Sequence, residues 1–137
     1  MEDCVFCRIV SGEIPAAKVY EDDSVLAFLD ANPDTPGHTL VVPKQHFENV
    51  FDIDESALQK VVAVGKRLAV DMKKNLNAVG INLANNNGKH AHQIVFHFHL
   101  HVIPRYENDG LEMYGPRNKE QKPTAEELEI IAEKIKQ

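Results

Sequence analysis

Tryptophan is absent and aromatic residues make up only 7% of the chain, so its core must rest on aliphatic side chains and six Phe. No apolar run approaches the roughly 18 residues of a membrane span. The opening Met1-Glu2-Asp3-Cys4 lacks the basic-then-apolar order of a secretory leader. A cytoplasmic protein without membrane attachment is the expectation. Basic charge is also short: 15 Lys and Arg face 21 Asp and Glu, for a formal net charge of −6. That argues against duplex nucleic acid as a partner, which needs a basic face. It leaves room for a small phosphorylated ligand held by backbone N–H groups and a few side chains. Internal repeats and low-complexity tracts are missing. What remains is a chain of 137 residues, 43% hydrophobic and 26% charged. Such a composition is globular, and the length suits one domain over 1–137.

Only two cysteines occur, both in Cys4-Val5-Phe6-Cys7. Two intervening residues suit a metal clip or a redox pair better than a structural disulfide. A redox pair is expected where a strand runs into a helix, and no strand precedes this one. A metal clip requires two further ligands from elsewhere.

Along the chain, residues 4–11 read as a short helix stopped by Gly12 and Pro15. Ala17–Tyr20 and Ser24–Leu29 read as strands around the acidic turn Glu21-Asp22-Asp23, and His38–Val42 as a third. Leu58, Val61, Val62, Leu68, Ala69, Met72 and Leu76 recur at three- and four-residue steps. With Asp54 as N-cap they predict a helix from Glu55 to Asn75. Gly80–Ala84 and Val95–Ile103 read as strands. Thr124 with Glu127 forms a capping-box pattern that opens a helix over 124–136, with Leu128, Ile131, Ala132 and Ile135 on one face. Strands and helices do not alternate regularly, so an α+β domain with a mainly antiparallel sheet is expected.

The densest chemistry lies in Phe96-His97-Phe98-His99-Leu100-His101-Val102. Side chains on a strand alternate between faces, so Phe96, Phe98, Leu100 and Val102 fall on one side and three imidazoles on the other. The apolar side reads as core. A merely solvated polar face would seldom use three His in a row. Two chemical readings stand. Two or three of the imidazoles hold a catalytic metal, or they divide the labour, one acting as a nucleophile toward phosphorus.

The run from His97 to Pro104 resembles the signature of the histidine triad (HIT) family, His-φ-His-φ-His-φ-φ. Residues 4–30 resemble that family's N-terminal block, and Gly37-His38-Thr39-Leu40-Val41-Val42-Pro43-Lys44-Gln45-His46 resembles its G-H-x-L-V-x-P-K-x-H block. Three blocks match in order, from about Cys4 to Arg105, and the likeness is greatest to bacterial zinc-containing members related to nucleoside phosphoramidases. The resemblance implies a HIT-like fold, a five-stranded sheet with a long central helix and a C-terminal helix, with the core at about 4–105 and a C-terminal segment at 106–137. It implies structural zinc on Cys4, Cys7, His46 and His97. It further implies that His99 attacks the α-phosphorus of a purine nucleotide, that His101 contacts phosphate, and that His38 lies in the same active site. Asp30 matches a ribose-binding acid, and Asn86 a phosphate or leaving-group contact. Gln93 falls in the nucleotide-binding stretch before the triad. Val5, Phe6, Ile9, Ile14, Phe28 and Leu29 match positions around the base. The implied activity is hydrolysis of a nucleoside phosphoramidate or phosphoanhydride through a nucleotidyl-histidine, by a homodimer. Dinucleoside polyphosphate hydrolysis and nucleotide sensing with weak catalysis are the alternatives.

Two positions depart from that pattern. Where the family usually reads Gly-Gln-Ser/Thr-Val, this chain has His92-Gln93-Ile94-Val95. Ile94 replaces a hydroxyl that relatives place near the scissile bond. His92 replaces a small Gly and brings an imidazole able to donate a proton.

Overall fold

The computed structural model describes residues 3–112 and 122–136. Residues 1–2, 113–121 and 137, and with them the start of the chain and part of the expected C-terminal segment, lie outside the described residues.

Short runs of Val, Leu and Phe build a five-stranded sheet in the order β1-β2-β3-β5-β4. The strands are β1 (Lys18–Glu21), β2 (Val25–Leu29), β3 (Thr39–Pro43), β4 (Gly80–Ala84) and β5 (Leu100–Arg105). Every neighbouring pair is antiparallel. The β1–β2 turn is set by Asp22, whose Oδ1 accepts from the N–H groups of Ser24 and Val25 at 2.7 and 2.8 Å. The mainly antiparallel α+β architecture expected from the sequence is therefore present.

Helices lie on both faces. The long helix α2 (Glu55–Asn75) is capped by Asp54, whose Oδ1 accepts from the Ala57 N–H at 2.7 Å. It buries Val61, Val64, Leu68 and Met72 against Val25, Ala27, Val41, Phe98, Leu100 and Val102. Gly65 permits the close approach, since a Cβ there would meet Leu100 Cδ2 at 2.7 Å. Val62, expected on the buried stripe, is instead exposed, and Val64 and Gly65 take the inward positions. At 100° per residue Val62 falls just past the edge of the contact.

On the opposite face the short helix α1 (Val5–Val10) packs Phe6 and Ile9 on Leu26, Phe28, Leu40 and Val42. Because α1 has only six residues, it covers one part of that face and leaves the rest open. The third helix, α3 (Ala125–Lys136), carries the expected capping box, with Thr124 and Glu127 bonding each other's backbone N–H at 3.1 Å. Its Leu128, Ile131 and Ile135 are exposed.

The expected strand at Val95–Ile103 is shorter than its alternation suggests. Residues 95–97 bend, and pairing begins only at Leu100. Phe96 is accordingly 43% exposed rather than core. The 98–99 backbone is held by other partners: the Phe98 N–H donates to the Phe47 carbonyl at 2.7 Å, and Asn85 Nδ2 donates to the His99 carbonyl at 2.9 Å. This bend sends His97 one way and leaves His99 and His101 together on the α1 face.

Candidate active site and metal cluster

His97 is fully buried, and its Nε2 donates to the Pro43 carbonyl at 2.8 Å. A carbonyl can only accept, so that nitrogen carries the ring proton and Nδ1 keeps its lone pair. Nδ1 faces Cys4 Sγ at 3.3 Å, Cys7 Sγ at 3.5 Å and His46 Nδ1 at 3.2 Å, and Cys7 Sγ lies 3.3 Å from His46 Nδ1. In a tetrahedron with Zn–N near 2.0 Å and Zn–S near 2.3 Å, the ligand atoms would stand roughly 3.3–3.8 Å apart, the nitrogen–nitrogen edge shortest and the sulfur–sulfur edge longest. Four of the six donor–donor distances thus already have the length of such a polyhedron's edges, and all four donor atoms lie within 4.8 Å of one another. Cys4 begins α1 as its N-cap, accepting from the Cys7 N–H at 3.3 Å, and this turn aims both sulfurs the same way. Burial and the neighbouring Cys4 push the Cys7 thiol up from its ordinary range. A dication among the sulfurs is the group that reverses this, by favouring thiolates. The chemistry of the donor set thus fits a closed metal site, with the two cysteines as free thiols rather than a disulfide.

Two residues on, His99 is oriented the opposite way. Its Nδ1 lies 2.7 Å from the His97 carbonyl. The proton therefore sits on Nδ1, and Nε2 carries the lone pair. Burial lowers the His99 pKa, with the bond to the His97 carbonyl opposing it, so the neutral form dominates at neutral pH. Phe6 packs edge-on against this ring at 5.2 Å between centroids.

His101, next along β5, stands opposite Leu40 in the register. Its Nδ1 lies 2.9 Å from His38 Nε2. The Asp34 N–H donates to His38 Nδ1 at 3.0 Å, which leaves the His38 proton on Nε2. His38 therefore donates to His101 Nδ1, and the His101 proton sits on Nε2. Burial, then the neighbouring His99 and His38, pulls the His101 pKa to about 4. Asp30 Oδ2 lies 3.6 Å from His38 Nε2, and its Oδ1 accepts from the Asn32 N–H at 2.9 Å.

Beside these rings is a cavity of about 720 Å³. Its apolar end is formed by Phe6, Ile9, Ile14, Phe28 and Leu29, and Val5 also lines it. Asp30, Asn86, His99 and His101 supply its polar wall. The sequence-predicted site residues thus gather as one cavity and one adjoining cluster, with His38 just behind His101. Gln93 stands apart from the cavity wall. It is 4% exposed, and its amide is spent on structure: Oε1 accepts from the Gly88 N–H at 2.8 Å, and Nε2 donates to the Glu48 carbonyl at 2.6 Å. It ties the 85–95 loop to the 46–49 loop. In this structure its amide thus shapes the loop beside the cavity.

Sequence reasoning did not find Asn85, Asp34 or Pro43. Asn85 fixes the His99 backbone, Asp34 sets the His38 tautomer through its N–H, and Pro43 sets the His97 tautomer through its carbonyl. For the last two the acting groups are backbone, which every residue carries. The arrangement can do two things chemically. An aimed, neutral imidazole lone pair can attack an electrophile seated in the cavity, and an N–H on His101 can bind an anionic oxygen.

A family model described as the HIT domain matches residues 11–108. The protein named Protein hit from Bacillus subtilis (strain 168) is 53% identical over 111 residues, which cover 80% of this chain and 76% of that protein. Among solved structures, a Zn-bound histidine triad family protein from Mycobacterium smegmatis is 45% identical with a TM-score of 0.79, over 88% of this chain and 87% of that one. A histidine triad nucleotide-binding protein from Candida albicans is 34% identical with a TM-score of 0.85, over 98% and 95%.

Proposed function

The chain belongs to the HIT domain family, and from that membership we propose that it is a nucleotide hydrolase that removes an amine from the α-phosphate of a purine nucleotide. The observation that carries this reading is the tautomer of His99: with Nδ1–H bonded to the His97 carbonyl, the lone pair on Nε2 belongs to a buried, neutral ring in the cavity wall. The base would lie among Phe6, Ile9, Ile14, Phe28, Leu29 and Val5, with Asp30 accepting from the ribose hydroxyls and Asn86 beside the phosphate. His99 Nε2 attacks the α-phosphorus as the bond to the leaving nitrogen breaks. That nitrogen takes a proton from His92, which lines the rim, is exposed and reprotonates from solvent. His101 Nε2–H holds a phosphate oxygen. Water then attacks phosphorus, the P–N bond to His99 breaks with its electrons returning to the ring, and the monophosphate leaves with a proton released to solvent. Splitting one displacement into two in this way is the gain of covalent catalysis.

Structural zinc on Cys4, Cys7, His46 and His97 belongs to the same proposal, supported by the donor geometry and by the Zn-bound relative. It would clip α1, which carries part of the cavity wall, to the segment that carries the nucleophile. A homodimer formed through the β4 edge and the outer face of α2 is part of the reading. Leu83 and Val79 at that edge, and Val62 and Val70 on the helix, are exposed, and an unpaired edge invites a partner strand. Light scattering at the chain mass of 15.4 kDa over a wide concentration range would overturn the dimer. The cytoplasm is the compartment in which two such cysteines stay reduced, and no described helix is long and apolar enough to cross a membrane.

One observation favours a second reading, a nucleotide sensor with weak catalysis: Ile94 brings no hydroxyl to the rim. Mass spectrometry after mixing with adenosine 5′-phosphoramidate separates the two. The hydrolase gains the mass of one covalent nucleotidyl group, the monophosphate less one water, and His99→Ala does not. Nucleotide binding without any mass shift or turnover in the parent selects the sensor.

A further inference from the structure

Ile94 is 87% exposed, the most exposed of the large apolar side chains among the described residues. It is not isolated. Together with Val5 and Val95 it lines the cavity beside His99 and also a second hollow of about 420 Å³. These three residues are thus a low apolar ridge between the two spaces. Beyond the ridge, the second hollow is walled by Phe96, Asp3 and Glu48, with the cluster residues Cys4 and His46 behind. Phe96, which the sequence alternation assigns to the core, is turned out here by the bend at 95–97.

The base side of the first cavity is formed by Phe6 and Ile9 of α1 with Phe28 and Leu29 of β2, whereas His92, Ile94 and Val95 come from the loop before the triad; Val5, at the start of α1, borders both the base side and the second hollow. A nucleotide seated with its base against Phe6 and Phe28 directs whatever hangs from its α-phosphorus toward that ridge. The charge in both spaces then decides what can lie there. Among the described residues, none lining either hollow is Lys or Arg; the second contains the carboxylates Asp3 and Glu48, and the basic side chains there are the imidazoles His46 and His92, besides His99 and His101. A leaving group that brings further phosphates or a carboxylate would meet acid and apolar surface. An amine with an apolar side chain would meet Ile94, Val5 and Phe96, removing their surface from water.

We propose that the hollow across the Ile94 ridge is the leaving-group subsite, and that Ile94 sets a preference for amines bearing an apolar side chain over amines bearing an anionic one. This rests on the phosphoramidase reading and names its substrate class. Ile94 thus offers an apolar contact at the position where the family pattern has a hydroxyl.

The test uses binding to His99→Ala, which cannot consume its ligand. The probes are adenosine monophosphate and two phosphoramidates of it, one with a phenylethyl and one with a carboxyethyl substituent on nitrogen. Calorimetry should give a Kd about tenfold lower for the phenylethyl compound than for the carboxyethyl one, the scale of partly burying one ring. Adding Ile94→Ser should bring that ratio below about threefold. In protein that keeps the native His99, the kcat/KM ratio for the same two amidates should fall in parallel, which guards against a binding artefact of the alanine variant. A ratio near one, or a ratio that Ile94→Ser leaves unchanged, overturns the subsite while binding of the monophosphate still supports the nucleotide reading. No binding of the monophosphate overturns that reading, and the subsite with it.

Discussion

His97 and His99 are two residues apart, both buried and both kept neutral by desolvation, yet they present opposite ring nitrogens to their surroundings. His97 gives its Nε2–H to the Pro43 carbonyl and turns Nδ1 toward two sulfurs. His99 gives its Nδ1–H to the His97 carbonyl and keeps the lone pair on Nε2. Identical side chains are thus set up for the two different roles proposed for them, metal ligand and nucleophile, because each is bonded to a different carbonyl. The His97 residue takes part in both outcomes, its ring in the cluster and its carbonyl in the orientation of His99. The two ends of this segment are separable in chemistry but coupled through one peptide group.

The strongest way to break that comparison is to remove one end at a time. His99→Ala should lower kcat by about four orders of magnitude, with zinc content and melting temperature near those of the parent. Cys7→Ser should do the reverse: zinc falls well below one equivalent, and the melting temperature drops by roughly 10 °C or more, since several kcal/mol of ligation are lost. Elemental analysis and calorimetric melting check both. A Cys7→Ser protein that keeps full zinc and the parental melting temperature refutes the cluster.

Acid tests the desolvated rings without mutation. The folded His101 pKa is about 4, against an ordinary value of 6.5. Between those values the unfolded chain binds more protons than the native one, so stability rises with pH through the window. It should be fully present above about 6.5 and decline as pH falls toward 4. Melting temperature measured from pH 7 to 4 should fall, and His101→Gln should flatten part of the fall. Turnover should follow the same logic: the acid limb lies below the ordinary imidazole value, because burial lowers the His99 pKa as well. A limb at or above 6.5 contradicts the desolvation argument.

The smallest expected effect sharpens the comparison most. Asn85→Ala removes the amide that holds the His99 carbonyl at 2.9 Å without touching either ring. One neutral hydrogen bond contributes about 1 kcal/mol. The expected outcome is a loss of a few degrees in melting temperature and about tenfold in kcat, with KM and zinc content little changed. A loss of zinc instead would show that the segment moves as one unit rather than as two ends.

Much of this architecture is legible in the chain. The α2 helix runs over Glu55–Asn75 and β4 over Gly80–Ala84, as periodicity and capping predict. The reason is that helix stripes and caps are local patterns. The cluster Cys4, Cys7, His46 and His97 and the cavity residues were named by resemblance to a family and are found together. Alternation predicts a strand over Val95–Ile103, whereas pairing begins at Leu100, because the alternation continues through a bend held by the loops at 44–49 and 85–93. Phe96 and Val62 face water for the same kind of reason, a boundary set by what packs opposite them. Gln93 matches a ligand-contact stretch by position, and the backbone partners of its amide, Gly88 and Glu48, are visible only in the folded loop.

Side-chain identity and local periodicity are properties of the chain, so which imidazoles and thiols are available, their order, and the helices and most of the strands that carry them can be read directly from it. Tertiary structure alone decided which nitrogen of each imidazole carries the proton. That choice rests on the Pro43 and His97 carbonyls and the Asp34 N–H. Every peptide unit owns such groups, so only their position in space gives them a role.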